Sequence, residues 1–291
     1  MNNQTNKLSV KLPRAAYFAG DYDSTKNILP NFIDSKDRTK DIKTTNISNV
    51  KLDKSTSIPF IYGDKDSYII FPENSITSNF TICSITKYKS KNPDNNKKII
   101  RSIDNKTNFY HGHYNNKIGV IEYDNYEFSK GLTNTVDNPI DSWVIVCAKN
   151  SKPPNNVYIN DIDLSITTID NSYFTLTRNS NTLSINYNKD MTTTDNSEWA
   201  LSYIFIWNSH LTDDEMKSVS SSLNNYLKTG TKIEFNSISS QILSTYKQES
   251  INYIDKINQI KSTIFDKKEK EKDKDKYQDI NLTELQKKML L

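Results

Sequence analysis

Glycine is scarce in this chain, with 6 in 291 residues. Tight turns then fall to asparagine and aspartate, which also tolerate left-handed backbone. Cysteine is scarcer: Cys83 and Cys147 stand alone, and neither belongs to a CxxC pair, which excludes that redox or zinc motif. Both lie in apolar stretches and read as buried free thiols acting as small hydrophobes, with a cross-strand disulfide as the alternative. No apolar run approaches the roughly 20 residues that span a bilayer. Met1–Pro13 is polar and lacks the apolar core of a signal peptide, so the expectation is a soluble protein made in the cytosol. Charge of one sign is missing too. The 38 basic and 35 acidic residues leave +3, which argues against a nucleic-acid surface. With 35% hydrophobic residues and a mean hydropathy of -0.72, one good core is plausible but not two.

What is present centres on Trp199–Gly230. Trp199, Leu201, Tyr203, Phe205 and Trp207 alternate on one strand face, while Ala200, Ile204 and Ile206 keep the other face apolar. A strand greasy on both sides lies inside a sandwich or under another layer. Thr212 and Glu215 form a capping box, with Leu211 and Met216 as its hydrophobic staple. Asp213 and Asp214 suit the positive end of the helix dipole. Met216, Val219, Leu223 and Leu227 line one helix face, and Gly230 ends the helix.

Strands are expected over 15–18, 65–71, 79–88, 99–103, 108–114, 118–123, 141–149, 157–159, 172–176 and 182–187. Many short strands with no α-helix before residue 212 favour a β-sandwich. The domain is placed at 14–230, after a polar arm at 1–13. Beyond it, 231–265 carries a heptad-like stripe (Leu243, Tyr246, Ser250, Tyr253, Ile257, Ile260 and Ile264), either a coiled coil or a helix packed back on the sandwich. A charged linker at 266–279 and a short terminal helix at 280–291 follow.

Several of these segments carry a resemblance. Asn208, Leu211, Thr212, Glu215 and Met216 are similar to the closing element of concanavalin A-like (laminin-G-like) jelly-roll modules. Val157–Ile159 with Asn160 resembles a hairpin of that fold, with Asp161 in its glycine's place. Phe71, Pro72, Ser75, Ile76, Phe80, Thr81, Lys87 and Tyr88, then Phe109, Gly112, His113, Tyr114 and Gly119, resemble a subgroup found in large DNA viruses. The resemblance implies an all-β, concanavalin A-like β-sandwich, here with a C-terminal α-helical extension. It implies a lectin-like or structural module that binds glycans or other particle proteins and is not an enzyme. The implied setting is a virion, as a minor capsid or surface component, or the cytoplasm of the producing cell. The C-terminal helix would tether the module to partners or make a homo-oligomer.

Three sets of residues are candidates for chemistry. His111 and His113 share a strand face and, with Tyr114, are the candidate binding residues. Two imidazoles could serve a metal, but only His210 remains as a third, so histidines hydrogen-bonded inside the sandwich are the favoured reading. Gly112 between them is expected to admit a neighbouring aromatic ring. Glu122, Asp124 and Glu127 match the E-x-D-x-x-E pattern of laminarinase-type glycoside hydrolases, with Glu122 as nucleophile and Glu127 as acid/base. Strict alternation, however, sets Glu127 on the opposite face unless a bulge intervenes. Trp143, Trp199 and Trp207 read as core, leaving no tryptophan for a sugar subsite. Asp21, Asp23, Asp161 and Asp163 fall in turns. They are candidates for calcium, the one cofactor suggested, against local backbone capping.

Overall fold

The computed structural model describes residues 6–33, 38–104, 108–124, 126–132, 139–152, 156–165, 181–187, 194–235, 256, 257 and 259. The chain divides into two compact units, Met1–Asn236 and Ser237–Leu291. In the second, residues 256, 257 and 259 are helical. The strand expected at 172–176, the heptad-like stripe apart from Ile257, the charged linker and the terminal helix lie outside the described residues.

In chain order the strands are β1 (Asn6–Leu8), β2 (Ala15–Phe18), β3 (Ile47–Ser48), β4 (Lys51–Asp53), β5 (Phe60–Gly63) and β6 (Tyr68–Ile70). Next come β7 (Thr81–Tyr88), β8 (Ile100–Ser102), β9 (Phe109–Tyr114), β10 (Lys117–Tyr123), β11 (Tyr126–Leu132) and β12 (Val144–Lys149). β13 (Val157–Ile159), β14 (Ile162–Asp163), β15 (Leu183–Ile185) and β16 (Trp199–Trp207) precede helix α1 (Asp213–Thr229), and β17 (Ile233–Phe235) follows it. A seven-stranded sheet runs β11-β10-β9-β8-β15-β6-β3, and an eight-stranded one runs β14-β13-β12-β7-β16-β5-β4 with β2 also on β16. Ile69, Ile100, Phe109 and Ile121 of the first meet Ile61, Ile82, Val146 and Ile204 of the second in one buried core. The fold is therefore a jelly-roll β-sandwich closed by a helix. Its hairpins turn on Asn115–Asn116 and Asn160–Asp161, all with positive φ, so asparagine and aspartate do replace glycine there.

β16 is buried along its whole length, as its two greasy faces imply, but it does not alternate as a single strand. Leu201 faces Thr86 and Tyr203 faces Ile85, so Ser202 is an extra residue on β16. A bulge of this kind puts two residues opposite one and inverts the facing beyond it. Trp199, Leu201, Ile204 and Ile206 consequently enter the core between the sheets. Tyr203, Phe205 and Trp207 turn outward beneath α1. This corrects the expected single face of five large residues. The bulge also marks a change of neighbour: β5 pairs with residues 199–201 and β2 with residues 203–206.

Helix α1 forms as its signals require. Thr212 and Glu215 complete the capping box, and Gly230 at φ 71 caps the other end. Lys149, itself buried, donates to Asp213 in the first turn at 2.7 Å. Met216, Val219, Leu223 and Tyr226 pack on Cys83, Ile85, Ile145, Tyr203 and Phe205, each contributing about 1.5–3 kcal/mol on burial. The N-terminal arm is tied down as well. β1 pairs in parallel with β17, and Leu8 and Val10 are buried in the same cluster. Residues 233–235 thus form a strand of the sandwich unit, where a helix beginning at 231 was expected.

Cys83 and Cys147 are directly opposite in the β7–β12 register and form a disulfide, which corrects the reading of free thiols. Their apolar settings revealed burial, but only the strand register reveals the pairing. We expect thiol titration of the unreduced, denatured protein to find no free cysteine. Reduction should cost about 2–4 kcal/mol of stability, because the bond closes a long loop in the unfolded chain.

Candidate functional site

The β9–β10 hairpin carries His111, His113, Tyr114 and Glu122. Gly119 at φ 73 is the extra residue of β10, and a Cβ there would come within 2.7 Å of Ile159. His111 and His113 both point into the sandwich and are fully buried. His111 Nδ1 lies 2.6 Å from the Tyr123 hydroxyl, and His113 Nδ1 lies 3.3 Å from Thr86 Oγ1. The His113 ring sits edge-on to Tyr88, with centroids 4.6 Å apart. Burial pushes His111 down to about 3, opposed by the Val146 carbonyl. Burial, then the neighbouring His111, pushes His113 down to about 3. Both rings are neutral structural groups that a ligand outside the sandwich does not touch. His210 bonds Asn150 Oδ1 instead, at 3.0 Å, and no metal-ligand cluster occurs among the described residues. The space above Gly112 meets Val146 and Thr86 rather than an aromatic ring.

Tyr114 lies on the other side of the sheet and is half-buried. It stacks on Tyr110 with centroids 4.3 Å apart and planes 18° apart. Lys98 places its ammonium 5.8 Å and 5.4 Å from the two ring centres and 3.5 Å from Asp195. Burial lowers the Lys98 pKa, and nearby Arg101 adds to that. The Tyr110 hydroxyl donates to Glu122. Burial first, then this carboxylate, raises the Tyr110 pKa, so the phenol stays a donor. The set joins two rings and a carboxylate on β9 and β10 to Lys98 and Asp195 on the neighbouring connections.

Glu122 and Glu127 are paired residues on adjacent strands and therefore share a face. The expected opposition assumed one continuous strand. Instead the chain reverses after Tyr123, with Asp124 at φ 54 in the turn, and β11 runs back alongside. Glu127 is exposed and Glu122 half-buried.

The four candidate aspartates each have a partner, and Asp163 lies in β14 rather than in a turn. Asp21 takes the Lys232 ammonium at 2.8 and 2.7 Å. Asp23 accepts from Thr25 and from the Lys26 amide, and these bonds, Thr25 first, lower its pKa to about 2. Both line an open groove of about 490 Å³ with Lys26, Asp41 and Lys43. Asp161 accepts from Ser221, and Asp163 from Ser165.

Sequence reasoning missed one surface. Trp143 is half-exposed beside Phe60 and Tyr62 on the outer side of the eight-stranded sheet, although alternation made it core. Its face was read correctly, alongside Ile145 and Cys147, but α1 does not cover that end. Lys87 and Lys89 alternating at the end of β7 were the available signal.

No family model matches the chain, and no curated protein matches it. Three solved structures are similar to the sandwich. The binding domain of Paraclostridial Mosquitocidal Protein 1 is 11% identical over 73% of this chain and 52% of that one, with a TM-score of 0.50. The Botulinum Neurotoxin Type G Receptor Binding Domain is 17% identical over 72% of this chain and 51% of that one, at 0.46. Domain 4 of AbnA, a GH43 extracellular arabinanase from Geobacillus stearothermophilus in complex with arabinotriose, is 13% identical over 72% and 99%, at 0.45. The chain thus spans about half the length of the first two of these chains. The first match supports the β-sandwich fold; the other two carry no further argument.

The buried histidines generate a pH prediction. Their folded values near 3 lie below the ordinary 6.5, so between these limits the unfolded chain binds protons that the fold refuses. Stability is full above about pH 6.5 and is lost as pH falls toward about 3, by up to ~1.4 kcal/mol per pH unit for each ring. Urea unfolding of His113→Gln should show a shallower acid slope than the parent chain. Identical slopes would contradict this account.

Proposed function

We propose that the chain is a non-catalytic binding module that takes a glycan or a particle protein on the outer side of its seven-stranded sheet. The observation that carries this reading is the Tyr110–Tyr114 stack with Lys98, Asp195 and Glu122 fixed around it. The half-exposed Tyr114 ring, backed by the buried Tyr110 and Lys98, suits the apolar face of a sugar or side chain, and the flanking carboxylates suit its polar edge. Tyr110, Tyr114 and Glu122 are on strands and Lys98 is held by Asp195, so these groups lose little freedom on binding and such a site is preorganised. The virion setting rests on the sequence resemblance. The Cys83–Cys147 disulfide favours a particle exposed to oxidising surroundings over the reducing cytosol. Attachment or self-association through the segment beyond residue 236 belongs to the same proposal.

The test is a broad glycan array probed with the full chain and with Tyr114→Ala. Saturable binding to a restricted set of sugars, weakened in the variant, supports glycan recognition. A blank array from folded protein moves the reading to a scaffold that contacts proteins alone. We also propose that binding needs no calcium, since Asp21, Asp23, Asp161 and Asp163 each already have a partner side chain. Thermal unfolding should be the same in calcium and in chelator, and a calcium-dependent rise in Tm would overturn this.

The pairing of Glu122 with Glu127 favours a second reading, a laminarinase-type hydrolase with Asp124 in the turn between them. Against it, Glu122 is already engaged by the Tyr110 hydroxyl. A reducing-sugar assay on β-1,3-glucan is expected to stay flat. Release of sugar that Glu122→Gln abolishes would establish the hydrolase instead.

A further inference from the structure

The bulge at Ser202 has an effect on the half of β16 that precedes it. Ala200 pairs with Lys87 on one side and Tyr62 on the other, and it faces away from the core that holds Trp199 and Leu201. Its methyl side chain makes a low floor in the outer surface of the eight-stranded sheet. Three rings stand around that floor. Phe60 lies 5.8 Å from Tyr62 and 5.5 Å from Trp143 between centroids, with planes inclined at 47° and 68°. All three are half-exposed, whereas the buried part of this face, from Ile85 and Tyr203 onward, is sealed by α1.

Two cations occupy the same platform. Lys87 sets its ammonium 4.7 Å from the Trp143 ring centre and 5.4 Å from that of Phe60. Lys89 sets its own 3.8 Å from the ring of Tyr62. Among the described residues neither ammonium makes an ion pair or a hydrogen bond. The nearby carboxylates make their direct contacts with other groups, Asp53 with Ser55 and Asp141 with Lys91 at 3.6 Å, and act on Lys87 only through space. The platform thus offers aromatic surface and unpaired positive charge, and the indole N–H of Trp143 adds a donor. Burial, the largest influence, disfavours the charge on Lys87; Asp141 and then Asp53 oppose that, and the neighbouring Lys89 adds to it, leaving the pKa below the ordinary lysine value. An incoming anion would therefore relieve part of a burial cost already present in the free protein.

We propose that this platform binds an acidic oligosaccharide, one bearing carboxylate or sulfate groups. A sugar ring presents a C–H face to the inclined aromatics while its acidic groups reach Lys87 and Lys89. Single-stranded nucleic acid fits less well, because it needs a basic groove following its backbone and rings placed for successive bases. Here the rings are tilted into a cradle, and Asp53 and Asp141 bound it. The site lies on the opposite sheet from Tyr114 and does not depend on the reading of that face.

Calorimetry on the full chain with dextran sulfate and sialyllactose, against dextran and lactose, tests the proposal. Saturable binding to an acidic sugar but not to its neutral counterpart is expected, weakening as salt rises. The double variant Lys87→Gln/Lys89→Gln should lose about tenfold or more in affinity, and Tyr114→Ala should bind as the parent does. Lys89→Glu, at an exposed position, is a second variant that leaves the fold undisturbed and should also weaken binding. The proposal is overturned by no saturable binding, by equal binding of the neutral sugars, or by lysine variants that bind unchanged. Tighter binding of an oligothymidylate than of either acidic sugar overturns it as well.

Discussion

The whole sandwich depends on how β16 is buried. It lies between β7 and the β5–β2 pair, with apolar layers on both of its faces. A strand in that position has no tolerance for slippage, because a shift of one residue exchanges its two faces. Ser202 uses this property constructively. The extra residue lets Trp199 and Leu201 fill the space between the sheets, while Tyr203, Phe205 and Trp207 fill the space under α1. Its hydroxyl bonds the Pro59 carbonyl at 2.8 Å and the Tyr226 hydroxyl at 3.0 Å, so the bulge is also tied to β5's approach and to the helix.

Two different surfaces follow from that arrangement. The outer side of the eight-stranded sheet is divided, one part sealed by α1 and the β1–β17 pair, the other left with half-exposed rings and lysines. The seven-stranded sheet has its apolar side on the core and its polar, tyrosine-bearing side outward. The histidines belong to neither surface. Each is held within the core through Nδ1, to Tyr123 and to Thr86, and their depressed basicity makes them determinants of acid stability rather than of recognition. Both surfaces combine strand-mounted aromatics with charge, which supports a binding module.

Much of the architecture was legible in local signals. Thr212, Glu215 and Gly230 marked both ends of the helix, and the apolar runs around Cys83 and Cys147 marked the two central strands. β4 and β11 were not legible, because Lys51–Asp53 and Tyr126–Leu132 mix charged and apolar residues, and the turn before β11 uses Asp124 where a glycine would have announced it. Missing that turn is what misplaced Glu127. The disulfide, the Ser202 bulge and the exposure of Trp143 all depend on register or on how far a neighbouring element reaches. Those are tertiary facts, and alternation along one strand contains none of them.

The most direct test of this account is the stability of a chain lacking Ser202, with Ser202→Ala as the control. Urea unfolding should show the alanine variant weakened by roughly the worth of one or two hydrogen bonds, about 1–3 kcal/mol. The deletion should have no cooperative transition, because removing the bulge sends one half of β16 to the wrong face. A deletion variant that unfolds cooperatively near the parent midpoint would contradict the claim that this one residue partitions the sandwich.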